Sequence, residues 1–93
     1  MTLKLGFSLP KSGREVPLSS LEPGQKGIVV RVAGPPDLRR RLMDMGLVGG
    51  TEVVVVRKAP LADPIEYEVR GYNLSLRRRE ADLVYVTPVY GGR

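Results

Sequence analysis

Arg41-Leu42-Met43-Asp44-Met45-Gly46-Leu47-Val48-Gly49-Gly50-Thr51-Glu52-Val53 is the stretch whose reading decides the fold. It spells the end of a short helix, a glycine stop, a second glycine turn and the entry to a strand. Upstream of it, Leu38, Leu42 and Met45 stand at i, i+4 and i+7 and make one narrow apolar stripe. Asp37 is the expected N-cap, and Gly46 sits where a helix ends in the left-handed conformation. A helix of about two to three turns cannot hold itself in water, so it must lean on a sheet.

The flanking segments supply that sheet. Glu22-Pro23-Gly24-Gln25 reads as a turn, with proline at the second position and Gly24 at the third. After it, residues 27–33 alternate, which predicts a strand with one buried face, Ile28, Val30 and Val32 lying on one face and Val29 and Arg31 on the other. Val53 to Val56 are β-branched throughout, and Ile65, Tyr67 and Val69 alternate with Glu66, Glu68 and Arg70. Gly71-Tyr72-Asn73 reads as a turn before Leu74 and Leu76. A further turn is expected at Arg79 to Asp82, then a last strand at Leu83 to Val86. Short strands and one short helix predict an all-β fold, a small barrel of about five strands. The expected organisation is an N-terminal extension over 1–17, a barrel domain over 18–86 and a loose tail over 87–93. Leu3, Leu5, Phe7 and Leu9 alternate within the extension, which suits an edge strand or self-association through residues 1–17.

Composition narrows the chemistry. The chain has 93 residues, 42% hydrophobic, with 11 glycines and 8 prolines, which favours short strands and tight turns over a helical bundle. It contains no cysteine and no histidine. Thiolate and imidazole chemistry are therefore absent, and with them the usual zinc ligand sets and nucleophile–histidine pairs. No catalytic constellation stands out, so the reading is a non-enzyme without a cofactor. Asp63, Glu66 and Glu68 form the local acidic cluster, but Glu66 and Glu68 share one strand face in the ordinary solvated pattern, so no metal site is assigned. No run approaches the roughly 18 apolar residues of a membrane helix, and the N-terminal alternation is unlike a signal peptide, so a cytoplasmic protein is expected.

The net charge is +5, from 15 basic and 10 acidic residues, which favours acidic partners. Arg39-Arg40-Arg41 and Arg77-Arg78-Arg79 could together meet phosphate, and a small basic β-barrel that binds nucleic acid is the alternative function. Against it, Asp37, Asp44, Glu80 and Asp82 flank these runs, and aromatic stacking platforms are scarce. On the helix, Met43 projects away from the apolar stripe, between Arg39 and Arg40. A flexible thioether between two guanidinium groups suits an acidic, partly apolar partner.

From Leu18 to Val86 the order of elements resembles the FeoA family. Leu21-Glu22-Pro23-Gly24 with Gly27-Ile28-Val29 looks like the family's opening turn and first long strand. Arg41 to Leu47, then Gly50-Thr51-Glu52-Val53, look like its helix-end motif. Ala59-Pro60-Leu61, Asp63-Pro64-Ile65 and Leu74-Ser75-Leu76-Arg77 follow in family-like order. Gly24, Leu42, Gly46, Gly50 and Leu76 are its structural positions here. Gly49 departs from the pattern, because the family usually carries proline there. The resemblance implies an SH3-like barrel with an inserted helix. It also implies an accessory role in bacterial ferrous iron uptake, by protein–protein binding to the FeoB transporter and modulation of its GTPase or transport activity. Its place would be cytoplasmic, peripheral at the inner membrane through that transporter. Arg39, Arg40, Met43, Leu61 and Asp63 are the candidate partner-binding residues.

Overall fold

A computed structural model describes residues 9–10 and 14–90. Its strands are β1 (Leu9–Pro10), β2 (Val16–Pro17), β3 (Lys26–Val32), β4 (Glu52–Lys58), β5 (Ile65–Val69), β6 (Tyr72–Leu76) and β7 (Val84–Tyr90). Helix α1 (Pro36–Asp44) joins β3 to β4, and the single-turn α2 (Arg78–Ala81) joins β6 to β7. Short 3-10 turns occupy Leu18–Ser20 and Pro60–Ala62. The pairing is antiparallel throughout, in the order β1-β7-β3-β4-β5-β6, with β2 also on β7. This is the mainly-β architecture that the residue pattern predicts, with seven described strands where about five were expected.

The inward residues differ from strict alternation, for one physical reason. In β3 it is Val29 that lies in the core, 2% exposed, while Val30 is 41% exposed; Val32, beyond the bulge, does pack against the core, so the expected single face of Ile28, Val30 and Val32 is split. The register against β7 shifts between Val29 and Arg31, which marks a bulge, and an extra residue there reverses the alternation. β4 does the same: Val53 and Val55 are buried, the register shifts between Val55 and Arg57, and Val56 faces out. Bulges bend strands and sharpen their twist, as a small barrel requires. Gly27 sits where β3 lies directly against Val86 of β7. A Cβ there would lie 2.8 Å from Val86 Cγ2, well inside ordinary contact.

Three connections also differ from expectation. Pro35 is the N-cap of α1 and Pro36 its first residue, so Asp37 lies inside the first turn rather than capping it. Proline is pre-set for that first position and has no N–H to satisfy. The β5–β6 turn is Arg70-Gly71, with φ of 54° and 89°, and Tyr72 already belongs to β6. Two positive φ values match the tight turn whose twist fits a hairpin. The expected loose tail over 87–93 is strand in its described part: β7 continues to Tyr90, and Thr87 and Pro88 are buried, while residues 91–93 lie outside the described residues. Residues 1–8 of the N-terminal alternation lie outside the described residues, whereas Leu9–Pro10 and Val16–Pro17 pair with β7.

The core gathers Leu18, Leu42, Leu47, Ile65, Tyr67, Val84 and their neighbours, all essentially without solvent exposure. Tyr67 brings an anomaly into it. Its hydroxyl is buried and has no hydrogen-bond partner among the described residues. Burial, reinforced by the negative charge of Asp82, pushes the phenol well above its ordinary value of 10.0. The folded state thus holds this proton more tightly than the unfolded chain does. The corresponding stability is complete below pH about 10 and lost as pH rises above it. Tyr67→Phe is expected to equal the parent or gain about 1 kcal/mol at neutral pH, because an unpaired buried hydroxyl is removed. Its stability should also fall less steeply above pH about 10. Thermal unfolding across pH checks both; a clear loss at neutral pH would mean that the hydroxyl is engaged.

Candidate functional site

α1 is held at its C-terminus. The N–H of Gly46 donates to Met43 O at 2.9 Å and that of Leu47 to Leu42 O at 3.3 Å, with Gly46 at φ 103°. This pair of bonds is a Schellman closure, and its hydrophobic partners Leu42 and Leu47 are both fully buried. Tyr72 Oη donates to Met45 O at 3.2 Å, so the β5–β6 hairpin serves another terminal carbonyl. Gly24 and Gly50 also take positive φ, and Leu76 is buried at 1%.

With Leu42 fixed inward, helical geometry decides what α1 shows to solvent. At about 100° per residue, Arg39, Met43 and Arg40 follow one another round one flank, while Arg41, Asp37 and Asp44 occupy the other. Arg41 turns to α2 and pairs with Glu80. Arg39 and Arg40 make no side-chain hydrogen bond or ion pair among the described residues, and Met43 between them is 44% exposed. The two arginine runs therefore do not merge into one basic surface on α1: Arg41 approaches α2 beside two aspartates, and Arg39 and Arg40 lie on the far flank.

The remaining candidates, Leu61 and Asp63, lie in the β4–β5 connection. Asp63 Oδ1 accepts the Arg78 N–H at 3.0 Å and lies 3.7 Å from Arg77 Nη1, so its carboxylate caps α2 from across the chain. Glu80 folds back on the same turn and accepts the Arg77 N–H at 2.9 Å. Leu61 projects fully, 95% exposed, with φ of 67°, and Ala62 follows at 58°. No hydrogen bond or ion pair joins this loop to α1 among the described residues; each is tied to α2 instead. The structure thus groups Leu61 and Asp63 with α2, and Arg39, Arg40 and Met43 apart from them.

Two open grooves flank the outer sheet. One, of about 440 Å³, lies between the loop and β5–β6 and is lined by Arg57, Lys58, Pro60, Pro64, Glu66 and Ser75. Its cations are engaged, Arg57 with Glu66 at 2.8 Å and Lys58 with Glu22 at 3.5 Å. The other, of about 400 Å³, has Thr51, Glu52, Glu68 and Arg70 in its wall, with Arg70 Nη2 donating to Thr51 Oγ1 at 3.4 Å. In neither groove does a hydroxyl hydrogen-bond to a general base. Among the described residues no group of three or more His, Cys, Asp or Glu could hold a metal ion. No helix among them is long and apolar enough to cross a membrane.

Sequence patterns alone did not single out Glu80, which organises α2 and Arg41 together. Its three-residue spacing from Arg77 was the available signal, since a glutamate at that position commonly reaches back to the cap N–H. Two stability measurements follow. Asp63→Ala should cost about 1 kcal/mol through the lost cap. Leu61→Asn should be neutral or gain up to about 1 kcal/mol, because asparagine accepts the left-handed conformation more readily than leucine. Urea unfolding of both variants checks the pair; a large loss for Leu61→Asn would give that side chain a packing role.

Comparison with known proteins agrees with this geometry. The model of the FeoA domain matches residues 16–88. A fusion protein of Fe(2+) transport protein A and the Fe(2+) transporter FeoB from Porphyromonas gingivalis is 44% identical over 69 residues, 74% of this chain. The match spans only 8% of that relative's length. The solution structure of a FeoA-like protein from Clostridium acetobutylicum superposes with a TM-score of 0.77 at 38% identity, covering 85% of this chain and 92% of that one. FeoA from Stenotrophomonas maltophilia, described as a prokaryotic SH3 domain protein and solved with zinc, gives a TM-score of 0.66 at 33% identity, over 74% and 86%. With the helix stop, the bulged barrel and the inserted α1 all in place, the chain belongs to the FeoA family.

Proposed function

We propose that this protein is a non-enzymatic accessory of ferrous iron uptake that binds the FeoB transporter on its cytoplasmic side. The observation that carries the reading is the Porphyromonas gingivalis relative, in which a segment like this chain and a FeoB transporter are one polypeptide. Covalent linkage of two modules gives each a high effective concentration near the other, which is useful where the separate chains must associate. The α1 flank suits such a contact. Arg39 and Arg40 engage no carboxylate among the described residues, and Met43, 44% exposed, supplies an adaptable apolar centre. Binding there would leave α2 and the barrel core undisturbed, because Arg41 and Leu42 face the other way. Regulation of the transporter's GTP hydrolysis or transport belongs to the same proposal, with the contact as its first step.

Calorimetric titration against the soluble GTP-binding domain of the organism's own ferrous transporter tests the reading, with a parallel titration into random DNA. Saturable binding to the domain alone is expected. Arg39→Glu/Arg40→Glu should weaken it by about tenfold or more, with unchanged thermal unfolding. Unchanged affinity in the folded double variant would remove this flank as the contact. Binding to DNA alone would replace the proposal with the nucleic-acid reading.

A further inference from the structure

We infer that the β4–β5 loop is a membrane-contact element: Leu61 enters the boundary of a bilayer rich in anionic lipid, and the neighbouring arginines meet the headgroup phosphates. This goes beyond the transporter reading and does not depend on it. The first observation is the tip itself. Leu61 is 95% exposed and stands in left-handed backbone with Ala62, a conformation that disfavours side-chain-bearing residues. The turn is held by Ala62 N–H on Ala59 O and by Asp63 on α2, yet the Leu61 side chain it presents stays 95% exposed. Strain spent on presenting an exposed side chain marks a segment shaped for something outside the fold.

The second observation is how poorly the tip suits water. Ala59, Pro60, Leu61 and Ala62 carry no polar side-chain atom. Their backbone donors are also largely spent: Ala59 N–H donates to Pro64 O at 3.0 Å, Ala62 N–H to Ala59 O at 2.8 Å, and Pro60 has none. With no polar side chain and those two N–H groups bonded, the loop suits the headgroup boundary, where Leu61 alone reaches the acyl edge and the remaining backbone groups keep their water.

The third observation is charge. Asp63 fastens the loop to the N-terminus of α2, and thereby brings Leu61 into the neighbourhood of Arg77, Arg78 and Arg79. The side chains of Arg78 and Arg79 have no acidic partner among the described residues. A single apolar anchor beside uncompensated cations is complementary to an anionic lipid surface, where apolar insertion and electrostatic attraction add.

Co-sedimentation of the whole protein with phosphatidylcholine vesicles, with and without phosphatidylglycerol, tests the inference. Binding is expected only with phosphatidylglycerol. Leu61→Asn should reduce the partition coefficient roughly tenfold, the scale of burying one leucine, and Leu61→Phe should preserve it. Arg78→Glu/Arg79→Glu should reduce it at least about tenfold. Thermal unfolding confirms that each variant is folded. Absence of lipid-dependent sedimentation would overturn the inference. So would binding that responds to charge reversal but not to Leu61→Asn, which is general attraction to a cationic protein. If Leu61→Asn instead weakened calorimetric binding to the transporter's GTP-binding domain and left sedimentation unchanged, the leucine would belong to a protein socket, and the inference would fail while the transporter reading stood.

Discussion

The contact between Leu42 and Leu47, both buried without exposure on either side of the Gly46 stop, governs the outer surface of this protein. α1 has only nine residues, too few to persist without packing. Its rotation about its own axis is therefore set by where Leu42 enters the core, and its end is set by the bond from Leu47 N–H to Leu42 O. Once these two are fixed, the rest of the helix has no freedom left to choose its display. Arg41 must approach α2, and Arg39, Met43 and Arg40 must face solvent on the opposite flank. A motif whose residues are wholly structural thus determines which side chains a partner can meet.

α2 is organised differently, by carboxylates rather than by apolar burial. It has four residues, and its first turn is satisfied by Asp63 from a distant loop and by Glu80 from within. Glu80 also receives Arg41, so one side chain of modest exposure connects α1 to α2. Exposed ion pairs contribute little on their own. Here their effect is geometric: they hold the β4–β5 loop, α2 and α1 in a fixed sequence round one side of the barrel. Nearby, Ser19 Oγ donates to Asp82, which ties the first 3-10 turn to the residue that follows α2.

The amphipathic parts of the fold were legible from residue order. β5 alternates Ile65, Tyr67 and Val69 against Glu66, Glu68 and Arg70, and the burial follows that alternation. The helix stop at Gly46 was equally plain, because its glycine and its flanking leucines act locally. The bulges were not, since Val29 and Val30 are chemically alike and only the partner strand decides which one turns inward. Nor was the extension of β7 through Thr87 and Pro88, whose composition resembles a tail and whose order comes from pairing with β1 and β3. For the candidate site, helical spacing sufficed to group Arg39, Arg40 and Met43. It could not reveal that Asp63 is spent on capping α2, because that contact crosses 15 residues of chain.

The position of β7 has a consequence for how the molecule comes into being. The last strand in the chain is an interior strand of the sheet, flanked by β1 and β2 on one side and β3 on the other. Contacts between distant parts of a chain form slowly, since loop closure must precede the gain from pairing. During synthesis β1 to β6 emerge before β7, so Val29, Val53, Ile65 and Tyr67 are made before Val84 and Val86, with which they share the core. Until the segment ending at Tyr90 has left the exit tunnel, the emerging chain lacks the strand that joins β3 to β1 and β2.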